Sequence, residues 1–449
     1  MSKVIKIRKG LDIKLAGEAE KTLTEFAADS YALKPPDFLG LIPKLLVKEG
    51  DEVRAGTPLF ADKANEEIIF VSPVAGKVSE IIRGPRRLLL EVRIQRAEKD
   101  TWVDFGKSDP SVMSRDEITS KLLKSGVWPM IRQRPYSIIA NPAGNPKAIV
   151  VSAFDTAPLA PDYDFIVHGH GTEFQTGLDA LARLTTGKVH LNLPESIGSS
   201  KVFANSKGVQ INYFSGPHPA GNPGIQIHHT DPINKGDIVW YLRPQEVITI
   251  GRVFTEGRYN AEKVIAYTGS EAKSPKYYKI RNGACIRQLV SGRVNDGDIR
   301  YISGNVLTGT TISKTGYLGF YDHQLTIIPE GRYHEFFGWA LPGFGKFSAS
   351  GTFPAKLTPT KKYSPDTNLH GGERAFVMTG QYEKVFPMDI YPVQLLKSIL
   401  VEDIDLMEKL GIYEVDEEDF ALCEVVCTSK IEVQEIIRKG LDLMRAEMS

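Results

Sequence analysis

Glycine and proline break the segment of residues 42–82, IPKLLVKEGDEVRAGTPLFADKANEEIIFVSPVAGKVSEII, at short intervals. The breaks fall at Gly50, Gly56, Pro58, Pro73 and Gly76. Between them, apolar residues alternate with charged ones, which is the period of a half-buried strand and not of a helix. Turns at this frequency leave no room for helices of ordinary length. The segment therefore predicts a small domain of short paired strands.

The same segment resembles the barrel-sandwich hybrid of lipoyl and biotinyl domains, because it matches V-x-x-G-D-x-V-x-x-G-x-x-L followed by S-P-x-x-G-x-V. Carrier domains present their modified lysine in D-K-A, and Asp62, Lys63 and Ala64 match these letters. The segment between Lys63 and the Ser72-Pro73 turn is longer than the usual lipoyl spacing. We therefore do not expect Lys63 to carry a lipoyl or biotinyl group, and interpret this region as a carrier fold without carrier chemistry.

The central part of the chain, residues 101–251, has the pattern of a Rossmann-like α/β domain. Its apolar runs at residues 147–154 and 164–171 predict buried parallel strands, and residues 188–196 predict another strand. Between them, residues 173–187 carry apolar side chains at helical spacing. Strand, helix and strand in this order favour an open sheet with helices packed on it.

The remaining residues predict two further units. Residues 246–290 are interpreted as short strands, a turn at Gly257 and a short helix, which favours a compact β-grasp module of the soluble-ligand-binding (SLBB-like) kind. Amphipathic helices with breaks at Gly411 and Thr428 follow a glycine- and aromatic-rich connector. The predicted domains are residues 1–100 (N-terminal segment and barrel-sandwich hybrid), 101–251 (Rossmann-like), 252–330 (β-grasp) and 331–449 (connector and C-terminal helical domain).

Charge and cysteine content exclude several classes of protein. The 55 Lys and Arg residues balance 55 Asp and Glu residues, so no overall field attracts nucleic acid, and no nucleic-acid partner is expected. The densest basic stretch, residues 81–96, is interpreted as the solvated face of paired strands. Three cysteines give no basis for a secreted disulfide framework. No apolar run approaches the length of a membrane-spanning helix, so membrane association is expected only through a partner.

Three uncommon stretches carry a resemblance over essentially the whole chain. They are IKIRKGLDIKLAG (5–17), SGPHPAGNPGIQIHHTDPI (215–233) and the segment from Pro387 to Cys427 that begins PMDIYPVQLLKSILVEDIDLMEKLGIYEVDEEDF. With these residues the chain resembles the NqrA family, which belongs to the sodium-translocating NADH:quinone oxidoreductases. Relatives of that family are RnfC and the NADH/FMN-binding subunit of respiratory complex I.

The resemblance implies a peripheral subunit on the cytoplasmic face of the inner membrane, bound to other Nqr subunits, especially a membrane subunit. The whole complex would oxidise NADH, reduce ubiquinone or menaquinone and export sodium ions. It also implies that FAD, FMN, riboflavin and iron–sulfur centres lie in other subunits. We expect no covalently bound cofactor here and no catalysis by the isolated chain, whereas quinone binding stays open.

Two departures from RnfC and the complex I subunit support this division of roles. Those relatives carry a glycine-rich phosphate loop, G-x-G-G-A-G-F-P, where this chain reads SGVWPMIRQRP (125–135). They also carry four-cysteine groups for iron–sulfur clusters, where this chain has only Cys423 and Cys427. The alternatives are an independent flavin- and NADH-binding oxidoreductase subunit with a remodelled loop at Gly126, as in RnfC, and a lipoyl-type carrier protein.

Residues 215–229 are the candidate quinone site, because prolines stiffen the loop and glycines allow close approach. His218 is expected to donate a hydrogen bond to a quinone carbonyl, with Pro219, Gly221 and His228 beside it. A structural loop that docks on another subunit is the alternative. The histidines here lack the spacing of helical zinc sites, so no metal is expected. No nucleophile–base pair or paired carboxylates indicate a catalytic centre.

Aromatic residues cluster in YHEFFGWALPGFGKF, residues 333–347. Phe336, Phe337, Trp339 and Phe344 would suit contact with a membrane partner, because aromatic anchors dominate protein interfaces. Packing between the domains of this chain explains the same residues equally well, so the sequence leaves both interpretations open.

Overall fold

The computed structural model describes residues 4–196, 201–333, 335–338, 342–357 and 361–448. The strands are β1 (Val4–Lys6), β2 (Glu20–Glu25), β3 (Ser30–Leu33), β4 (Pro43–Leu45), β5 (Glu52–Val53), β6 (Pro58–Asp62), β7 (Ile69–Val71), β8 (Gly76–Arg83), β9 (Leu89–Arg96), β10 (Arg132–Arg134), β11 (Ile138–Ile139), β12 (Ala148–Ser152), β13 (Lys188–Pro194), β14 (Gln210–Ser215), β15 (Val239–Leu242), β16 (Glu262–Thr268), β17 (Lys276–Arg281), β18 (Ile299–Ser303), β19 (Thr310–Ile312) and β20 (Gln324–Pro329). The helices are α1 (Arg115–Lys124), α2 (Tyr163–Val167), α3 (Gly171–Ala182), α4 (Lys201–Ala204), α5 (Pro223–Thr230), α6 (Pro244–Thr255), α7 (Arg287–Val290), α8 (Tyr382–Val385), α9 (Pro392–Leu400), α10 (Ile404–Lys409), α11 (Glu417–Val426) and α12 (Val433–Met448).

Two small antiparallel sheets, β3-β9-β8-β5 and β4-β6-β7, form the barrel-sandwich hybrid. Phe60 and Phe70 stack inside it with ring centroids 4.7 Å apart. In the basic hairpin β8–β9, Val92 and Ile94 are fully buried, as the alternating pattern predicts. The predicted barrel-sandwich hybrid is confirmed.

The Rossmann-like sheet has the order β1-β14-β13-β12-β15-β10-β11. Strands β1, β14, β13, β12 and β15 are parallel, and β10 and β11 add an antiparallel edge. The chain runs outward through β12, β13 and β14 and then returns to place β15 on the other side of β12. The direction of winding therefore reverses between β12 and β15, at the place where open α/β sheets form ligand crevices.

Two stretches that the sequence analysis assigned to strands are helical, and those predictions were wrong. Residues 164–171 fall in α2 and the start of α3. The Asp162 carboxylate accepts from the backbone N–H groups of Asp164 and Phe165, which fixes the first turn of α2. Residues 246–255 belong to α6, whose Pro244 starts the helix and whose eleven residues from Pro244 to Phe254 are all buried. The run of β-branched residues from Val247 to Ile250 favours a strand, which explains the wrong prediction for α6.

The β-grasp sheet has the order β19-β18-β20-β16-β17-β2. Its edge strand β2 comes from the N-terminal segment and pairs in parallel with β17, while β1 pairs with β14 of the Rossmann-like sheet. Residues 4–25 therefore extend two sheets outside the barrel that follows them.

The C-terminal helices pack on the face of the Rossmann-like sheet opposite to α3 and α6. Val150 and Tyr241 point into a core shared with α8–α12, whereas Ile149 and Trp240 point into the core that contains α3 and α6. Adjacent residues of each strand therefore point to opposite faces of the sheet, as the pleat requires. A break at Gly411, which has the left-handed φ of 86°, separates α10 from the following turn.

Candidate functional site

A cleft of about 670 Å³ opens at the carboxyl ends of β12, β13 and β14. It is lined by Ala153, Phe154, Asp155, Thr156, Ala160, Pro161, Asp162, Tyr163, Asp164, Leu193, Pro194, Glu195, Ser196, Phe203, Phe214, Ser215 and Gly216. Its position follows from the topology, because parallel strands present their carboxyl ends at one edge and the loops after them form the walls. Phe154, Phe203 and Phe214 are buried and supply an apolar floor. The cleft has the size and the mixed lining of a small-molecule site.

Arg243, directly after β15, holds the loop after β12 in place. Its Nη1 donates to the Ser152 hydroxyl at 3.0 Å and to the carbonyl oxygens of Phe154 at 2.9 Å and Gly221 at 3.2 Å. Its Nη2 lies 3.5 Å from the Asp155 carboxylate. The Arg243 guanidinium thus connects β12 and β15, between which the winding direction reverses, to the loop that contains His218.

Tyr163 connects the cleft to the β-grasp domain through a buried polar chain. Its hydroxyl lies 2.8 Å from Nδ1 of His323, and Nε2 of His323 lies 3.0 Å from the Glu246 carboxylate. All three side chains are buried. Burial raises the pKa of Tyr163, so its hydroxyl stays protonated and donates to Nδ1 of His323, whose Nε2–H faces the Glu246 carboxylate.

We call residues 215–230 the histidine loop. His218 lies behind the cleft wall and is only 4% exposed. Its Nδ1 is 3.1 Å from the Thr156 hydroxyl, and its backbone N–H donates to Asp12 at 2.9 Å. Burial lowers the pKa of His218 to about 4, although Asp155 and Asp12 oppose this, so the ring is neutral at pH 7. Its contact with the cleft runs through Thr156, which lines the cleft.

The other predicted residues of the histidine loop are not brought together at one cavity. Gly221 donates its N–H to Thr156 and accepts from Arg243, and Pro219 lies in the turn before it. His228 sits on α5, where its Nδ1 is 2.7 Å from Glu414 and its Nε2 accepts from the backbone N–H of Asp389. His228 therefore contacts the C-terminal helices and not the cleft.

An ionic cluster, which we call the ionic junction, joins β10 to the start of α11. It consists of Arg134, Asp416, Glu418 and Asp419. Arg134 is fully buried and lies 3.4 Å from Asp416, 2.8 Å from Glu418 and 3.1 Å from Asp419. The histidine loop reaches it through Gly224, where an added Cβ would lie 2.3 Å from an Asp419 oxygen. The junction fixes the C-terminal helices against the Rossmann-like sheet.

These groups show what sequence reasoning missed. Arg134 and Asp419 are separated by 285 positions, and Tyr163 and His323 by 160. A single sequence has no local signal for such pairs. Only the acidic first turn of α11, read as a helix N-terminus, could have drawn attention to a buried basic partner.

Lys63 lies on the turn between β6 and β7 and is exposed. Its backbone N–H donates to the carbonyl oxygen of Ile42 at 2.7 Å. The position corresponds to a hairpin tip, and the absence of a modification at Lys63 stays a prediction.

We call residues 331–347 the aromatic connector. Phe336 is 85% exposed, Phe337 53% and Phe344 67%, and the Phe336 and Phe337 rings meet with centroids 4.6 Å apart. Trp339 lies outside the described residues. More than half of each of these three side chains is exposed, and their role as an interface stays a prediction.

Cys423 is fully buried in α11, and Cys427 is 4% exposed. Burial raises the pKa of the Cys423 thiol well above its usual value. Among the described residues, no group of three or more His, Cys, Asp or Glu side chains is placed to hold a metal ion. Within the same described ranges, no helix has both the length and the apolar character needed to cross a membrane.

The fold defines a multidomain α/β protein. It combines a barrel-sandwich hybrid, a Rossmann-like domain with a cleft at the carboxyl ends of its strands, a β-grasp domain and terminal helices. Three family descriptions match it: the NqrA N-terminal barrel-sandwich hybrid domain over residues 5–97, the NqrA second alpha/beta domain over 113–259 and the NQRA C-terminal domain over 264–314. The chain belongs to the NqrA family of Na(+)-translocating NADH-quinone reductase subunits.

Full-length relatives carry that description. The chain is 40% identical to the NqrA subunit of the Na(+)-translocating NADH-quinone reductase of Yersinia pseudotuberculosis, over 99% of this chain and 100% of the relative. It is 38% identical to the corresponding subunit of Rhodopirellula baltica, over 99% of this chain and 98% of the relative. Among solved structures, an NAD+-reducing [NiFe]-hydrogenase aligns with a TM-score of 0.40 at 10% identity, over 75% of this chain and 62% of that one.

Proposed function

We propose that this chain is a peripheral subunit of a sodium-pumping NADH:quinone oxidoreductase, bound at the cytoplasmic face of the inner membrane. In that complex it supports quinone reduction coupled to Na+ export. The observation that carries the proposal is 40% identity over 99% of the chain to a relative named as the NqrA subunit of this reductase. Because the alignment covers 99% of this chain and 100% of the relative, the similarity includes every domain described above.

The structure of residues 125–135 supports the proposal that FAD, FMN, riboflavin and iron–sulfur centres belong to other subunits. Val127 and Trp128 are fully buried, and Met130 is 6% exposed. Trp128 packs edge to face on Trp240 at 5.5 Å between ring centroids. A phosphate loop needs bare backbone N–H groups that face a ligand, whereas this segment fills the core with side chains. Cys423 and Cys427 are both buried, and this pair supplies two of the four ligands that an iron–sulfur cluster takes.

Quinone is the ligand we propose for the cleft at the carboxyl ends of β12, β13 and β14. The apolar floor suits a neutral ring, and the Thr156 hydroxyl, which accepts from the Gly221 N–H, is the donor for one of its carbonyl oxygens. His218 then does not contact the quinone itself. It positions the Thr156 hydroxyl through its Nδ1. Pro219 and Gly221 support that loop, and His228 anchors its far end to the C-terminal helices.

The aromatic connector is the surface we propose for the membrane subunit. Three phenylalanine rings stand largely exposed within one short segment. Exposed aromatic residues in a cluster are typical of interface anchors. Leu357, further along the chain, is also 84% exposed.

A complementation assay tests the function. Membranes from a host that lacks this subunit should have lost sodium-stimulated NADH:quinone reduction, and the wild-type chain should restore it. Thr156→Val should raise the KM for quinone by about tenfold, because one donor to the carbonyl is gone, while Thr156→Ser should restore it. Thr176→Val, where the hydroxyl donates to the Thr172 carbonyl oxygen within α3, is the matched control. Failure of the wild-type chain to restore activity would contradict the proposal.

The two alternatives have their own readouts. A yellow flavin bound to the purified chain would favour an independent oxidoreductase subunit. An intact mass that shows lipoate or biotin on Lys63 would favour a carrier protein.

A further inference from the structure

A second cavity, of about 380 Å³, lies between the Rossmann-like helices and the β-grasp sheet. Its lining comes from β2, β16 and β17 on one side and from α2, α6 and the α2–α3 turn on the other. The residues that matter here are Leu23, Phe165, His170, Ile248, Arg252 and Lys279. We call it the interdomain pocket, and none of its residues takes part in the quinone proposal.

Apolar side chains form one part of the interdomain pocket. Ile248 is buried, Phe165 packs on Tyr277 at 4.8 Å between ring centroids, and Leu23 stands 51% exposed at the edge strand. An exposed leucine beside a concave apolar wall gives a ligand ring or chain a surface to cover. The pocket volume falls in the range of small-molecule sites.

The charged part of the pocket carries excess positive charge. Its lining includes Lys21, Arg252, Lys263 and Lys279 but only two carboxylates, Glu25 and Glu262. Lys279 lies 3.4 Å from Glu25 and 3.3 Å from Glu262, so both carboxylates are drawn to one lysine. Lys21 pairs with Asp162, which lies outside this lining, and Lys263 donates to the carbonyl oxygens of Gly319 and Phe320.

Arg252 is a buried cation whose polar contacts are all long. The residue is 6% exposed, and its contacts are long: 3.3 Å from Nη1 to the Glu262 carbonyl oxygen, 3.5 Å from Nη2 to His170 Nδ1 and 3.8 Å from Nε to Glu256. Glu256 lies closer to Arg258, at 2.8 Å. A buried guanidinium with five donors is stabilised by shorter, charge-assisted contacts than these.

The arrangement of an apolar wall beside an incompletely compensated arginine defines the ligand class. We infer that the interdomain pocket binds an amphipathic organic anion, with its carboxylate or comparable acidic group at Arg252 and its apolar part against Leu23, Phe165 and Ile248. The positive field is also felt by His170, whose pKa is lowered by burial and then by Arg252. Occupancy would join α6 to the edge of the β-grasp sheet.

Binding of a charged probe and its neutral analogue by the full chain tests the inference. The probes are 2-naphthoate and 2-naphthamide, which share size and ring but not charge, measured by isothermal titration calorimetry. Naphthoate should bind at least about tenfold more tightly than naphthamide, and added salt should reduce the difference. Arg252→Gln should remove the preference for the anion. Equal affinities for the two probes, or no binding of naphthoate, would overturn the inference.

A surface variant keeps the test valid if Arg252→Gln fails to fold. Leu23→Glu places a carboxylate at the mouth of the pocket, at a position that is 51% exposed, and should weaken naphthoate binding about tenfold or more. Leu46→Glu, at 47% exposure in the barrel, is the matched control and should bind as the wild type does. Unchanged affinity in Leu23→Glu would contradict the proposed site.

The titration of His170 gives a readout at the pocket itself. A bound anion stabilises the imidazolium, so the pKa of His170 should rise when naphthoate is added and should not move with naphthamide. The measurement follows the ring protons by NMR, with His170→Asn to identify the signal. A His170 pKa that naphthoate leaves unchanged would place the anion elsewhere and overturn the inference.

Discussion

The histidine loop and the aromatic connector both stand out in the sequence as contact surfaces, yet they differ in where their partners lie. In the histidine loop, His218 and His228 hold partners from this chain on both sides: Thr156 and Asp12 for one, Glu414 and Asp389 for the other. In the aromatic connector, Phe336 and Phe344 are mostly exposed. The histidine loop thus makes its contacts within this chain, whereas the connector leaves large apolar side chains exposed.

The contrast between the histidine loop and the aromatic connector shows that burial distinguishes a segment with contacts inside the chain from one with exposed apolar surface. Prolines, glycines and histidines in one segment indicate a rigid loop but not what it touches. A polar side chain that is buried must find its hydrogen bonds inside the protein, and the histidine loop has done so. Large apolar side chains that remain outside indicate that a covering surface is missing. Variants in the two regions should therefore separate folding from assembly.

The largest effect on folding is expected at the ionic junction, which supports the histidine loop. Arg134→Met should lower the free energy of unfolding by about 3–5 kcal/mol, because buried Asp416 and Asp419 lose their counter-charge. Urea denaturation measures the loss. Arg54→Met, at an exposed position of the barrel, should change it by less than about 0.5 kcal/mol. Equal effects of the two substitutions would remove the contrast between the buried and exposed regions.

Acid should destabilise the histidine loop through His218. The pKa of His218 is lowered to about 4 in the folded chain by burial, while an unfolded histidine has a pKa of about 6.5. The stabilising contribution is therefore complete above about pH 6.5 and is lost as the pH falls through 6.5 toward 4. The loss amounts to about 3 kcal/mol.

Denaturation curves between pH 7 and pH 4 measure this dependence for the wild type and for His218→Asn. The difference between the two slopes isolates His218 from the other histidines. The same slope in both proteins would show that the ring is not held neutral by the fold.

A paired glycine substitution compares the two regions directly. At Gly224 an added Cβ would meet the Asp419 carboxylate at 2.3 Å, whereas at Gly345 in the aromatic connector nothing lies within 4 Å. Gly224→Ala should therefore cost about 1–3 kcal/mol through overpacking, and Gly345→Ala should be neutral within about 0.5 kcal/mol. Thermal unfolding monitored by circular dichroism distinguishes them, and a neutral Gly224→Ala would argue against the close approach of α5 and α11.

The smallest effect on stability is expected in the aromatic connector. Phe336→Ser and Phe344→Ser should each change the free energy of unfolding by less than about 0.5 kcal/mol, because the rings bury little surface in this chain. Recovery of membrane subunits with the tagged chain should nevertheless fall strongly. Normal recovery in the double variant would exclude the connector as the docking surface.

Much of the fold could be predicted from local patterns. The turns from Gly50 to Gly76 define the barrel, and the strand at residues 188–194 and the helix at residues 171–182 follow the expected periods. Three helices were assigned to another structure, for reasons specific to them. The prolines and glycines of residues 215–229 favoured a loop, whereas Pro223–Thr230 form α5. The only helix signal near the short α2 is Asp162 at its N-cap. Helix α6 is buried on all sides and is rich in β-branched residues, which favour strands.

The site was less accessible to sequence reasoning than the fold. The histidine loop stands out in the sequence, but the cleft beside it depends on Thr156, Tyr163 and Arg243, none of which belongs to a motif. Their contacts to His218, His323 and Gly221 join parts of the chain that only the sheet topology brings together. Long-range polar contacts of this kind leave no periodic trace in a single sequence.

The central claim, that this chain works within a sodium-translocating NADH:quinone oxidoreductase, is tested most directly by purifying the tagged chain from detergent-solubilised membranes of its host. The account predicts that membrane subunits co-elute and that the eluate reduces quinone with NADH in a sodium-stimulated reaction, which is lost when this chain is removed. Elution of the folded chain alone, with the reductase activity intact in the remaining membranes, would contradict it.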